Sequence, residues 1–171
     1  ITSHDSGTPA QEFGSAEATI PRYVISALMG CGATGLVQGV EYGLPQKIHL
    51  VGLKPIPDYK TGHNFTRLIA KVNRIMEENK VFQTGENIRF VDGGHDAIIA
   101  AHRFDQAKMN AEFLVLCNLD IFKQQIISID LLKHMPDCKV LCFEDLLSGK
   151  TITPDKGSLE ITMDPSSAMV L

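Results

Sequence analysis

The residues of this sequence with the clearest chemical potential are the adjacent His4 and Asp5. They follow a strand-like start and precede Gly7 and Pro9, so a strand is predicted to deliver an imidazole and a carboxylate into a loop at its carboxyl end. α/β enzymes keep their catalytic groups at that end of the sheet. Such a pair can grip adjacent hydroxyls of a sugar, while its negative charge stabilises an oxocarbenium-like transition state. A cap or a local polar network is the alternative interpretation.

A second carboxylate, Glu41, follows residues 34–40, a short apolar run typical of a buried parallel strand. A helix is predicted between the two strands, from Ala16 to Gly30, with a proline suited to its first turn. Strand, helix and strand form a parallel α/β unit, and in a barrel both strand ends would project at the same face. Glu41 is therefore expected near Asp5, and a strand-end cap or ion pair is the alternative role.

The rest of the chain changes period near residue 80. After a long loop, apolar residues recur with a helical period from Asn64 to Asn79, and Asn64 is a plausible N-cap. Beyond Lys80, short strand candidates alternate with turn signals and predict an antiparallel sandwich, with a short helical turn at 131–134. The candidates are residues 88–91, 97–104, 111–118, 124–129, 139–143, 159–163 and 168–171. We predict two domains, residues 1–82 and 83–171.

Composition excludes several classes of protein. Of the 171 residues, 44% are apolar and 21% charged, which is ordinary for a soluble globular protein, and no apolar run reaches the roughly 18 residues of a membrane span. The net charge of −4 argues against a nucleic-acid or anionic-membrane surface, because phosphate binding needs clustered cations. The expected location is the cytoplasm.

Cofactor and metal signals are weak. The four cysteines contain no CxxC pair, and reduced core cysteines are expected rather than disulfides or a metal site: Cys31, Cys117, Cys138 and Cys142. The scattered histidines have no metal-ligand spacing and are assigned solvated or capping roles: His63, His95, His102 and His134. The glycines give no phosphate-binding pattern. We therefore predict no cofactor and no metal.

Two motifs at the start of the chain resemble the alpha-amylase family of retaining glycoside hydrolases and transglycosylases. Residues 1–5 resemble that family's fourth conserved region, a strand that ends in Asn-His-Asp, with Ser3 in place of the Asn. Gly32-x-Thr34-x-x-x-x-Gly39-x-Glu41 resembles the family's Gly-x-Pro-x-x-x-x-Gly-x-Glu region around the eighth strand, with Thr34 in place of Pro. The remaining segments follow in the family's order.

Residues 65–81 are similar to the family's last barrel helix, and three later segments are similar to the β-sandwich behind the barrel: 113–119, 145–149 and 164–171. The resemblance implies α/β plus all-β architecture, namely the last two βα units of a (β/α)8 TIM barrel in residues 1–82 and an antiparallel Greek-key β-sandwich in residues 83–171. It implies an α-glucan or maltooligosaccharide substrate, and leaves hydrolysis or transfer open. A calcium requirement in a longer parent is also left open.

The same resemblance assigns roles to three side chains. His4 would bind hydroxyls of the sugar in the cleavage subsite, Asp5 would be the third carboxylate and stabilise the transition state, and Glu41 would support that loop from behind. The family's nucleophile Asp and acid/base Glu come from the fourth and fifth barrel strands, which would lie upstream of Ile1. Because retaining hydrolysis needs those two carboxylates about 5 Å apart, the segment alone is expected to be inactive.

A second hypothesis comes from another functional class. Residues 88–171 could form a non-catalytic β-sandwich module that binds carbohydrate or packs on a neighbour. This leaves the loop of His4 and Asp5 unexplained. Its aromatic content, 6% with no Trp, is also low for a sugar-binding platform, which usually needs exposed flat rings.

Overall fold

The longer helices precede the strands along this chain, as the change of period near residue 80 predicts. The computed structural model describes residues 1–3, 5–47, 51, 58–105, 112–136 and 142–171. The helical elements are α1 (Pro9–Phe13), a 3-10 turn (Ala16–Ala18), α2 (Thr19–Leu28), a 3-10 turn (Val40–Tyr42), α3 (Thr66–Glu78), a 3-10 turn (Lys80–Gln83) and α4 (Leu131–His134). None of the described helices is long and apolar enough to cross a bilayer.

The described residues contain eight strands, all beyond residue 87 with α4 between the fourth and the fifth, and every described pairing is antiparallel. They are β1 (Ile88–Val91), β2 (Ile98–Phe104), β3 (Glu112–Asn118), β4 (Gln125–Asp130), β5 (Phe143–Glu144), β6 (Thr151–Ile152), β7 (Ser158–Met163) and β8 (Ala168–Val170). A four-stranded sheet has the order β1-β2-β3-β8, while β4 pairs with β7 and β5 with β6. The predicted combination of helices with antiparallel sheet is confirmed, and β6 is a strand that the sequence pattern did not predict.

Strand β3 is the centre of the molecule because both of its faces are buried. Leu114 and Leu116 lie in one apolar cluster with side chains of β4 and β7, whereas Val115 and Cys117 lie in a second cluster with side chains of α2 and α3. Successive strand residues point to opposite faces, so this alternation puts helices on one side of the four-stranded sheet and the β4–β7 sheet on the other. Helices and strands therefore share one of the two hydrophobic cores.

The two longer helices begin and pack for identifiable reasons. The expected N-cap, Asn64, accepts a hydrogen bond at Oδ1 from the backbone N of Thr66, at 3.0 Å, although the helix itself begins two residues later than the pattern predicts. Val72 is fully buried in the cluster that α3 shares with α2. The hydroxyl of Tyr23 donates to Oδ1 of Asn73 at 2.7 Å, which ties α2 to α3. Both predicted helices are confirmed.

The strands predicted at residues 1–5 and 34–40 are not part of any sheet in the described residues. Residues 1–3 and 33–37 carry no regular structure, and the second segment ends in the 3-10 turn Val40–Tyr42. Their direct link is a long hydrogen bond of 3.5 Å from the amino group of Ile1 to the carbonyl of Gly35. A parallel ladder needs a continuous series of such bonds, so the expectation of strands here is wrong for this structure.

The cysteines differ in burial, which predicts a difference in reactivity. Cys117 is fully buried, and burial raises the pKa of its thiol. Cys31 and Cys142 are exposed, so the expectation of core cysteines is wrong for them, and Cys138 lies outside the described residues. An aromatic disulfide reagent should label Cys31 and Cys142 in the native chain and Cys117 only after unfolding. Labelling of Cys117 at the rate of Cys142 would contradict the layered packing around β3.

A buried histidine makes stability depend on pH. His102 on β2 is 4% exposed, and its Nε2 lies 3.0 Å from Oε2 of Glu112 on β3. Burial lowers the pKa of His102 from 6.5; Glu112 opposes this shift, while the positive charges of Arg89 and His134 add to it. The unfolded chain therefore binds a proton more readily than the folded one, so the stabilisation is present above pH 6.5 and is lost as the pH falls below it.

Urea unfolding at a series of pH values checks this expectation. The free energy of unfolding should decline between pH 7 and 5.5, and His102→Gln should make the decline shallower. The exposed His95 provides the matched control, since His95→Gln should leave the slope unchanged. A slope that is identical in both variants and the parent sequence would remove His102 as its cause.

Candidate functional site

Asp5 is exposed and lies in a turn closed by two serines. Oγ of Ser3 accepts from the backbone N of Asp5 and of Ser6, both at 3.1 Å. The backbone N of Ser3 in turn donates to Oγ of Ser6 at 2.9 Å. Ser3, which stands where the resembling family has Asn, therefore holds the backbone on both sides of Asp5. His4 lies outside the described residues, so its predicted contact with sugar stays a prediction.

A short helix that the sequence pattern did not predict, α1, continues this loop. Thr8 is its N-cap: its hydroxyl accepts from the N of Gln11 at 3.2 Å and donates to the carbonyl of Leu44 at 2.7 Å. Oε1 of Glu12 reaches back to the N of Gly7 at 3.0 Å. The sequence signal for this helix is the adjacent Thr8 and Pro9, a good N-cap followed by a good first helical residue.

Thr8 should contribute measurably to stability because the residue is only 6% exposed and its hydroxyl serves two backbone groups. Thr8→Val keeps the shape and leaves the carbonyl of Leu44 without its partner, which should lower the free energy of unfolding by about 2 kcal/mol. Chemical denaturation measures the change. Thr151→Val, on an exposed threonine, is the control and should cost far less. Equal effects of the two substitutions would contradict the anchoring role of Thr8.

Glu41 holds its own turn. Its Oε2 accepts from the backbone N of Gly39 at 2.7 Å, and its carbonyl accepts from the N of Phe65 at the start of α3, at 2.8 Å. Gly39 has φ 98°, a conformation that few residues other than glycine adopt, which explains the glycine in the Gly-x-Glu pattern. The carboxylate of Glu41 thus caps the turn that contains Gly39. Glu41 thereby fixes the backbone at the start of the segment that follows.

Two hydrogen bonds link the Asp5 loop to residues that follow the Glu41 turn. Nζ of Lys47, shortly after that turn, donates to the backbone carbonyl of Asp5 at 3.1 Å. The bond from Thr8 to Leu44 makes a second link between the same two segments. Asp5 is therefore fixed through its backbone from both directions, which leaves an exposed carboxylate on a supported loop.

Two half-buried tyrosines lie close to the Glu41 turn. The rings of Tyr42 and Tyr59 meet edge to face with centroids 5.6 Å apart, and Nε2 of Gln38 donates to the hydroxyl of Tyr59 at 3.1 Å. The hydroxyl of Thr61 donates to the carbonyl of Tyr42. These contacts give the tyrosines a role in holding the turn.

His63 also has a structural role at this turn. Its Nδ1 lies 3.2 Å from Oε1 of Glu17, and its ring stacks on Phe65 with centroids 6.0 Å apart. The hydrogen bond from Ser15 is the main cause that lowers the pKa of Glu17, and the nearby His63 adds a smaller contribution in the same direction. Within the described ranges, no group of three or more His, Cys, Asp and Glu side chains could hold a metal ion.

The arrangement offers the chemistry of one carboxylate, that of Asp5, held in a defined position. An exposed carboxylate on a loop fixed through its backbone can accept hydrogen bonds from neighbouring hydroxyls and stabilise developing positive charge. Double displacement at a glycosidic bond needs two further groups, a nucleophile and an acid/base, on either side of that bond.

No protein-family model matches the sequence, and no curated protein matches it by sequence. Solved structures match over most of the chain. A noncanonic maltogenic alpha-amylase, AmyB, from Thermotoga neapolitana matches with a TM-score of 0.74 and 14% identity, over 98% of this chain and 39% of its own. A variant of AmyP in complex with maltotriose matches with a TM-score of 0.65 and 12% identity, over 91% of this chain and 34% of its own.

An alpha-amylase from Geobacillus thermoleovorans, complexed with acarbose, matches with a TM-score of 0.56 and 13% identity, over 90% of this chain and 33% of its own. The chain thus spans a third to two fifths of the length of these proteins. Part of each of these alpha-amylase structures has the same fold as this chain. The resemblance that the motifs predict is therefore confirmed at the level of fold.

Proposed function

We propose that this chain is the C-terminal part of an alpha-amylase-family enzyme that hydrolyses or transfers α-1,4-glucosidic bonds of α-glucans and maltooligosaccharides. The observation that carries the proposal is the match of 98% of the chain to a maltogenic alpha-amylase structure at a TM-score of 0.74. The maltotriose bound to AmyP and the acarbose bound to the Geobacillus enzyme support an oligosaccharide as the substrate class. The three free cysteines among the described residues support a cytoplasmic parent.

In this proposal residues 1–82 are the last two βα units of a (β/α)8 barrel and residues 83–171 a Greek-key sandwich. The segments at 1–3 and 33–37 are joined by the hydrogen bond from Ile1 to Gly35. Ile1 and Leu36, one from each segment, pack against the cluster that α2 and α3 share. Neighbouring barrel strands backed by their helices would have this arrangement.

Asp5 is the transition-state stabiliser in the proposed mechanism. Its carboxylate accepts hydrogen bonds from the sugar's 2- and 3-hydroxyls. As the ring flattens and positive charge grows at the anomeric carbon, the same negative charge stabilises that state more than the ground state. The serine turn and Lys47 hold the backbone of Asp5, so little reorganisation is needed when the charge develops.

His4 and Glu41 assist that carboxylate. His4 donates hydrogen bonds to hydroxyls of the same sugar. Glu41 acts indirectly: it caps the turn that precedes Lys47, and Lys47 holds the backbone of Asp5. The nucleophile Asp and the acid/base Glu are contributed by barrel residues upstream in the same polypeptide. The 171-residue chain alone therefore binds no glucan productively and cleaves none.

A carbohydrate-binding sandwich is the second candidate, and one observation favours it. Two aromatic rings are exposed to solvent: Phe90 on β1 is 69% exposed and Phe122 after β3 is 83% exposed. Exposed flat rings are what sugar-binding platforms use. A module of this kind would bind glucan without upstream residues.

Isothermal titration of the chain with maltooligosaccharides separates the two candidates. The barrel proposal expects no saturable binding at millimolar ligand. Saturable binding that Phe90→Ala or Phe122→Ala abolishes would favour the module instead. Leu132→Ala, which removes another exposed apolar side chain, is the control for general surface effects.

A further inference from the structure

A groove outside the Asp5 loop runs between α3 and the strands. Its volume is about 630 Å³, and one wall is the face of α3 that carries Arg67, Lys71 and Arg74. Phe113 of β3 and Leu146 of the turn after β5 line its apolar floor. This volume lies within the roughly 300–1,000 Å³ of small-molecule sites.

The wall formed by α3 is basic, although the chain as a whole is acidic. The three cations follow one another at intervals of four and three residues, so they share a helix face and span about 10 Å of its length. Glu78 is the acidic residue of the lining. A net charge of −4 on the chain makes this local excess of positive charge a specific feature.

These cations keep most of their hydrogen-bonding capacity. Nζ of Lys71 donates to the carbonyl of Leu147 at 2.9 Å, which uses one of three ammonium hydrogens. Nε of Arg74 lies 3.9 Å from Oε1 of Glu78, and both side chains are more than 60% exposed, so this ion pair is weak. Arg67 makes no ion pair with any described residue.

The floor of the groove is apolar and firmly held. Ile75 is 5% exposed, and the ring of Phe113 packs on the fully buried Phe82 with centroids 4.9 Å apart. Leu146 is fixed at its backbone, because its N donates to the carbonyl of Val170 at 2.7 Å. A ring-sized group can therefore lie on a surface that is already in place.

We propose that this groove binds an organic phosphate monoester, with the phosphate between Arg67 and Arg74 and the ring of the ligand over Phe113 and Leu146. The planar guanidinium groups match phosphate oxygens in pairs, and Lys71 adds a third charge. The apolar floor makes an organic phosphate a better ligand than the bare ion. Sugar phosphates and nucleotides both combine a phosphate with a ring. The proposal for this groove does not depend on the proposed amylase function.

Nuclear magnetic resonance titrations of the chain test the site with four probes: inorganic phosphate, glucose 6-phosphate, adenosine monophosphate and glucose. Amides of α3 and of the turn at 145–147 should shift saturably with one or both organic phosphates and not with glucose. The affinity for the better organic phosphate should exceed that for inorganic phosphate at least about tenfold, because the floor adds apolar contact. The better of the two organic phosphates identifies the source of the ligand.

Substitutions in the groove and outside it make the test specific. Arg67→Gln and Arg74→Gln should each weaken binding about tenfold, the effect of one charge-assisted hydrogen bond. Arg89→Gln, on an exposed arginine of β1, is the matched control and should leave the affinity unchanged. Equal losses in Arg67→Gln and Arg89→Gln, or the absence of a saturable shift with either organic phosphate, would overturn the proposal.

Discussion

Replacing Asp5 by Asn in the full-length parent should lower kcat about 10²- to 10³-fold, the loss seen when one group that stabilises a transition state is removed. The amide has nearly the shape of the carboxylate and keeps the backbone bonds to Ser3 and Lys47. It has no negative charge to oppose the charge that develops on the sugar ring. Because that charge exists mainly in the transition state, kcat should fall much more than KM rises.

Steady-state kinetics on a maltooligosaccharide measures this effect, and thermal unfolding checks that the fold is intact. Asp96→Asn, on another exposed carboxylate, is the matched control and should leave both kcat and stability unchanged. Near-normal turnover of the Asp5→Asn protein would remove Asp5 from the mechanism. A loss of activity that follows a loss of folded protein would assign Asp5 a structural role.

The largest single effect on stability is expected at Asn118, the last residue of β3. This side chain is fully buried, and the two hydrogens of its Nδ2 are shared among the carbonyls of Lys123, Met163 and Asp164, at 3.1, 3.3 and 2.9 Å. Its Oδ1 accepts from the N of Asp120 at 3.0 Å. It thus ties the turn after β3 to the turn before β8. Asn118→Ala should lower the free energy of unfolding by about 4 kcal/mol, since several buried backbone groups lose their partner.

Urea denaturation of Asn118→Ala and Asn118→Asp provides the test. The aspartate keeps an acceptor for the N of Asp120 but turns an oxygen toward three carbonyls, so it should be at least as destabilising as alanine. Gln46→Ala, on an exposed amide, is the control and should change stability little. If Asn118→Ala lowered the free energy of unfolding no more than the surface substitution Gln46→Ala does, the linking role of the amide would be contradicted.

The sequence predicts the sandwich strands well because their signals are local. β1 matches its predicted bounds, and β7 and β8 differ from theirs by one residue, since alternating apolar residues and turn residues mark them without help from distant contacts. Predicted strand 139–143 falls mostly outside the described residues, and the structure has Phe143–Glu144 as β5. The same local signals identify α2 and α3.

The first barrel-like segments show where local signals fail. Whether residues 34–40 form a strand depends on hydrogen-bonded neighbours, which no residue of that run encodes by itself. Burial of a cysteine is likewise a tertiary property: Cys117 lies in the core that β3 shares with α2 and α3, whereas Cys31 follows the end of α2 and is exposed. Apolar neighbours in the sequence therefore overestimate the burial of Cys31.

The candidate site was predictable in its residue types and only partly in its supports. The order of the motifs predicts that Asp5 lies near Glu41, whereas the serine turn and the bond from Lys47 are contacts that only the folded chain reveals. Asp145 is a similar case: it is 2% exposed, and its Oδ1 accepts from the N of Val170, 25 residues along the chain, at 3.0 Å. An Asp before a turn signals a local cap and gives no indication of such a distant partner.

The central claim is that this chain supplies one wall of a glucan-cleaving site whose nucleophile and acid/base lie elsewhere in the parent. The most direct measurement is product formation from a maltooligosaccharide by the folded 171-residue chain, beside the full-length parent at equal concentration. We expect turnover by the parent and none by the chain alone. Cleavage by the chain alone that Asp5→Asn abolishes would contradict the claim, because the complete catalytic set would then lie within these residues.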